Sequence, residues 1–161
     1  MQFSQPLQLP IIGWREWVTL PVLGISDVKA KIDTGARSSA LHAFEIERIA
    51  WDDCPAVRFK VHPIQRNTAV TIVAEAELLE ERPVRSSNGE IEVRPTIRTD
   101  VELGGQCWAI ELTLTNRDAM GFRLLLGRQT IRDRFLIDAG RSFLQHQDCD
   151  CDATRTLSQQ S

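Results

Sequence analysis

Lysine is scarce in this chain. It stands only at Lys29, Lys31 and Lys60, and arginine supplies the other basic residues. A formal net charge of -3 removes any general attraction to nucleic acid or to an anionic membrane. No apolar run approaches the length that crosses a bilayer. Met1-Gln2-Phe3-Ser4-Gln5-Pro6 lacks the basic start and apolar stretch of a secretory signal, so the expected location is the cytoplasm. Cys54, Cys107, Cys149 and Cys151 make no convincing disulfide framework, and in that compartment they are expected as free thiols. His42, His62 and His146 are the only histidines, and no His-Glu-x-x-His pair joins any of them. A Gly-rich phosphate loop ending in Lys-Ser or Lys-Thr is also absent. Arginine dominance has two readings: a bias of lineage or codon usage, or selection for forked binding of carboxylates.

What is present fits one globular domain. The 161 residues are 42% hydrophobic and 25% charged, enough to bury a core and too apolar for wholesale disorder. The expected organisation is a flexible segment 1–11, a folded domain 12–144 and a flexible tail 145–161. Segments 17–23, 26–33, 56–62 and 69–81 alternate as strands do. Ser86-Ser87-Asn88-Gly89 predicts a hairpin turn, and Gly104-Gly105 predicts a second, between 99–103 and 106–115. The stretch 38–49 is expected to hold a helical turn or irregular structure. No internal repeat is convincing; Ile137-Asp138-Ala139-Gly140 echoes Ile32-Asp33-Thr34-Gly35 and reads as coincidence.

Asp33-Thr34-Gly35-Ala36 is the most informative stretch. It follows the alternating Val28-Lys29-Ala30-Lys31-Ile32. A carboxylate at a strand end, followed by a small hydroxyl residue and a glycine, can be held in a fixed orientation at a sharp bend. Alone, it is as consistent with an ordinary turn. The second element is Leu124-Leu125-Leu126-Gly127-Arg128, a short apolar run ending at a glycine. It leads into Gln129–Phe135, whose Ile131 and Phe135 suit one or two turns of helix.

Together these two elements resemble the retropepsin-like aspartic proteases. Ile12-Gly13-Trp14-Arg15-Glu16, the run from Lys31 to Ala43, Arg85-Ser86-Ser87-Asn88-Gly89, Leu114-Thr115-Asn116-Arg117 and Leu125-Leu126-Gly127-Arg128 narrow the likeness. They are similar to a bacterial retropepsin-like family commonly labelled ATP-dependent zinc proteases, often associated with ATP-grasp glutamate ligases that tail a ribosomal protein. The resemblance spans residues 12–138. It implies an all-β fold, a closed retropepsin-like barrel with one short C-terminal helix, functional as a homodimer.

One catalytic loop per chain implies that two chains supply an aspartate pair across a twofold axis. The resemblance assigns catalysis to Asp33, Thr34 and Gly35, and support of that loop to Gly127 and Arg128. Ala36, Arg37, Arg85, Asn88 and Arg117 are the expected substrate-binding residues. Retroviral relatives carry an acid after the Ala, paired with the supporting arginine; Arg37 stands there instead. Arg37 either meets substrate carboxylates, as a glutamate-tailed ribosomal protein would present, or makes a local salt bridge. The hairpin around 85–90 is the candidate flap, with Arg82, Arg94 and Arg98 around it as cleft residues or as solvated charges. No cofactor is expected. The label's zinc has poor ligands here, since Cys149 and Cys151 sit one residue apart in a tail, and its ATP has no phosphate loop. A zinc-dependent peptidase is therefore the weaker alternative; a retropepsin fold that grips an extended peptide without cutting it is the other.

Overall fold

The computed structural model describes residues 8–85, 88–116 and 121–145, and the fold is mostly strand. A first strand, β1 (Ile11–Gly13), precedes β2 (Arg15–Leu20), so the expected boundary at residue 12 falls inside a strand. β2 alternates strictly: Glu16, Val18 and Leu20 point into the core, while Arg15, Trp17 and Thr19 point out. A single 3-10 turn, Pro21–Leu23, ends at Gly24, whose φ of 71° is the left-handed conformation glycine adopts without strain. The chain then returns antiparallel as β3 (Ile25–Asp33).

The remaining strands are β4 (Ser39–His42), β5 (Phe44–Trp51), β6 (Cys54–Val61), β7 (Ile72–Arg85), β8 (Ile91–Leu103), β9 (Gln106–Thr115) and β10 (Leu124–Gly127). One helical turn, α1 (Arg128–Ile131), and β11 (Leu136–Asp138) follow. Neighbours run β2-β3-β10-β4-β9-β8, and β8 returns to β2 through Thr19 and Glu102. That closes a six-stranded barrel, as expected of the retropepsin-like fold. β7, β6 and β5 continue outward from β8.

Pairing of β8 with β9 ends at Thr96–Thr113, and pairing of β7 with β6 ends at Glu77–Ala56. Beyond those points β7 and β8 pair only with each other, from Glu81–Pro95 out to Arg85–Ile91. The result is a projecting two-stranded arm. The tight Gly104-Gly105 turn stands where expected; at the arm's end Arg85 pairs with Ile91, with Ser86 and Ser87 between them outside the described residues.

The core fills the barrel. Leu20, Ile25, Leu41, Ile97, Leu112, Leu124 and Leu126 are wholly buried, each stabilising the fold by roughly 1.5–3 kcal/mol. Glu16 is also fully buried, and its carboxylate accepts backbone N–H groups from Gly13 (2.7 Å), Leu144 (2.8 Å) and Gln145 (3.1 Å). These bonds satisfy a charge that burial would otherwise penalise. They also fasten the segment after β11 to the barrel.

Segment 38–49 is strand, not a helical turn. Every residue of β4 except Ala40 is buried, because β4 lies between β10 and β9; the period-two signal disappears. In β5 the alternation breaks where Glu45 takes a φ of 49°, at a register shift between Phe44 and Glu47.

Candidate active site

β10 is inserted between β3, to which it runs parallel, and β4, to which it runs antiparallel. The connection from β3 to β4 must therefore cross the end of β10. That connection is residues 34–38, and the crossing fixes the site.

Asp33 ends β3 opposite Gly127. Its Oδ1 accepts the N–H of Gly35 at 3.0 Å, and its carbonyl accepts the N–H of Ala36 at 3.2 Å. The carboxylate is thus held by the loop that follows it. Thr34, Gly35 and Arg37 are exposed, and Asp33 and Ala36 are half-buried.

The supporting junction fits closely beneath. A Cβ on Gly127 would lie 2.4 Å from the Ser38 carbonyl oxygen and 2.9 Å from that of Ala36, so no side chain fits. The N–H of Arg128 donates to Ala36 O at 2.9 Å, and that of Gln129 to Arg37 O at 3.2 Å. The Arg128 guanidinium donates to the carbonyls of Thr34 (3.3 Å) and Gly35 (3.4 Å). With Arg37 in place of an acid, the supporting arginine binds the backbone of the loop instead of a side chain.

A buried hydroxyl relay completes the support, and the sequence reading assigned it no role. Ser39 Oγ accepts the N–H of Gly127 at 3.0 Å and shares a hydrogen bond of 2.6 Å with Thr130 Oγ1. Thr113 Oγ1 donates to Ser39 O at 3.2 Å. The relay ties β4, β9, β10 and α1 together directly under the loop. Its only sequence signal was a hydroxyl residue two places after Arg37, too common to stand out.

The structure therefore brings together Asp33, Thr34, Gly35, Ala36, Arg37, Gly127 and Arg128. Arg85 and Asn88 stand apart from this group, at the tip of the β7–β8 arm. Asn88 Oδ1 accepts the N–H of Glu90 at 3.2 Å, and Gly89 has a φ of 86°. Arg117, Ser86, Ser87, His146, Cys149 and Cys151 lie outside the described residues. On the arm, Arg82 pairs with Glu80 and with Glu111 (3.4 Å), and Arg94 with Glu92 (3.3 Å). Those two arginines make local ion pairs. The Glu80 carboxylate beside Arg82 pushes its guanidinium above the usual range.

Asp138 repeats the turn geometry of Asp33: the N–H of Gly140 donates to Asp138 Oδ1 at 3.0 Å. The echo in the sequence is thus a shared local turn. The support is also similar: Asp138 ends β11 opposite Gly13 in a parallel pair, and a Cβ on Gly13 would lie 2.3 Å from the Arg141 carbonyl oxygen. The difference is that the Asp138 carboxylate faces the Arg141 guanidinium at 3.4 Å. His42 is buried in the barrel wall, and His62 lies tilted against Phe44 with ring centres 4.5 Å apart. Among the described residues no three His, Cys, Asp or Glu side chains are gathered as metal ligands.

The Asp33 loop crossing Gly127-Arg128 on a closed six-stranded barrel matches a known family model over residues 11–148, described as "Retropepsin-like aspartic endopeptidase RimB". This chain belongs to the RimB-like family. Curated relatives named "Probable alpha-L-glutamate ligase" come from Shewanella halifaxensis and Parasynechococcus marenigrum. They are 44% identical over 83% of this chain and 48% identical over 80% of it. The aligned part is 29% and 28% of those proteins, so the chain spans under a third of the curated relatives it matches. A solved Legionella pneumophila protein of unknown function aligns with a TM-score of 0.69 at 31% identity, covering 84% of this chain and 98% of its own. No helix among the described residues is long and apolar enough to cross a membrane.

Proposed function

We propose that this chain is an aspartic endopeptidase whose active site forms when Asp33 and the Asp33 of a second copy meet across a twofold axis. The observation that carries the reading is the Asp33 carboxylate held by the Gly35 N–H on a loop braced by Gly127 and Arg128. That brace fixes the orientation of an accessible acid.

Two facing carboxylates resist ionising together, so the pair holds one proton. The ionised member takes a proton from a bound water as the water oxygen bonds to the peptide carbonyl carbon. The protonated member donates to the carbonyl oxygen. As the carbon–nitrogen bond breaks, a proton passes to the departing amine, and the pair regains its single proton.

The substrate we infer is a protein with an acidic, glutamate-rich tail, cut in a cytoplasmic setting. Two observations support this class. The family's match to part of proteins named for glutamate ligation links the fold to glutamate-bearing products. Arg37 is exposed beside the catalytic loop and, among the described residues, forms no ion pair with a carboxylate. The β7–β8 arm is the element placed to fold over an extended substrate, with Arg85 and Asn88 at its tip.

The test is to incubate the wild type and Asp33→Asn with a peptide ending in a run of glutamates and to follow product masses. Shortened products from the wild type alone support the proposal. Intact peptide with both proteins, or the same products from both, overturns it.

A further inference from the structure

An open cavity of about 710 Å³ lies on the outward side of β2 and β3, away from the braced loop. Trp14, Trp17 and Phe122 form its apolar walls, and Arg15, Lys29 and Arg66 bring three cations to it. Asp27, at the start of β3, is the one acid among its lining residues. The chain has only three lysines, so Lys29 and Lys31 on a single strand face are a concentration. Lys29, Lys31 and Asp33 are the half-buried, outward members of β3, alternating with buried Val28, Ala30 and Ile32. Across the ladder Trp17 is opposite Lys29, and Arg15 is opposite Lys31. A row of positive charge therefore runs from the Asp33 loop toward the cavity.

These cations are held in place. The Arg15 guanidinium lies 4.7 Å from the Trp14 ring centre and 5.0 Å from that of Phe143, and its Nε donates to Ser142 Oγ at 3.1 Å. Lys29 Nζ sits 5.2 Å over the Trp17 ring. Arg66 leans over Gly121: a Cβ there would lie 3.5 Å from Arg66 Nε. Among the described residues, none of Arg15, Lys29, Lys31 and Arg66 forms an ion pair with a carboxylate. The ion pairs among the described residues lie mainly on β5 to β9 instead. Aromatic faces attract cations without neutralising them, so the charges stay available to an incoming anion and lose little freedom on binding it.

We infer that this row is an extended subsite for a carboxylate-rich peptide, engaging glutamate side chains several residues from the bond cut. It deepens the proposed function and rests on that reading for its direction relative to Asp33. Spacing supports an extended peptide. Alternate side chains on a strand repeat about every 7 Å, which is the interval between Lys29 and Lys31 and also between same-side glutamates of an extended tail. Steering by this row also makes capture salt-sensitive.

Binding separates this inference from catalysis. The Asp33→Asn protein is titrated with hexaglutamate and with hexaglutamine, followed by tryptophan fluorescence and by calorimetry. Hexaglutamate binds at least tenfold more tightly, and raising salt weakens it. Lys29→Glu, added to Asp33→Asn, raises the hexaglutamate Kd at least tenfold. Lys60→Glu makes the same charge change at a lysine already paired with Glu45 on β5, and shifts Kd by less than twofold. Lys29→Gln serves as the milder variant should the reversal misfold. Equal affinity for the two peptides, equal loss from the two lysine reversals, or displacement by inorganic phosphate at matched concentration each overturns the subsite. Residual cleavage by Asp33→Asn would instead sink the proposed chemistry and leave the binding result standing.

Discussion

Three residues carry the proposed site, and each is expected to fail in its own way when changed. Asp33→Asn removes the acid but keeps the Oδ1 acceptor for Gly35, so the loop stays folded while cleavage falls by at least 10³-fold in kcat, with thermal unfolding unchanged. Gly127→Ala presses a methyl into the Ser38 carbonyl; chemical denaturation should show a loss of more than about 3 kcal/mol, or no folded protein. Arg37→Glu puts an acid back where retroviral relatives have one. It should lower kcat/KM for glutamate-rich peptides about tenfold, roughly 1.4 kcal/mol, and affect neutral peptides far less. Asp33 and Gly127 were legible because each is an unusual residue at the end of a patterned strand. The partners of Arg128 were not, since backbone carbonyls leave no trace in residue identity, and neither was the Ser39–Thr130 relay.

Among the elements, β2, β3 and the two hairpins could be read from alternation and turn chemistry, because each has one face in the core and one in solvent. β4 could not, since its neighbours on both sides bury it and erase the pattern. The outer strands are linked by charge. Glu75 on β7 accepts from Arg58 Nε on β6 at 2.9 Å and from Trp51 Nε1 on β5 at 3.2 Å. The Arg58 bond, with help from Trp51, holds its carboxyl below the usual value. A lowered folded value means this support is present above the unfolded carboxylate's range and is lost as pH falls through the folded value. Glu75→Gln should therefore flatten the acid limb of a stability–pH profile below about pH 4.5 while leaving the neutral limb nearly parallel to that of the wild type. An unchanged acid limb would show that the pair contributes nothing. At the other end of the chain, Glu16→Ala strips three backbone N–H groups of their acceptor and should cost about 3 kcal/mol, with hydrogen exchange at Leu144 and Gln145 the first to quicken.

At the scale of the whole molecule, one chain carries one Asp-Thr-Gly loop, and the proposed chemistry needs two. The second turn of this kind, at Asp138, is packed on Gly13-Trp14 where Asp33 has Gly127-Arg128, and its carboxylate is occupied with Arg141 at 3.4 Å. A second copy is thus the source of the partner acid in this account. Mixing wild-type and Asp33→Asn chains, after dissociation and reassociation, tests that most directly. If each active site needs both aspartates, an equal mixture retains about one quarter of the activity of the same total amount of wild type, following the square of the wild-type fraction. Retention of about one half, tracking the wild-type fraction linearly, would mean that a single chain cuts by itself and would contradict the paired-aspartate account.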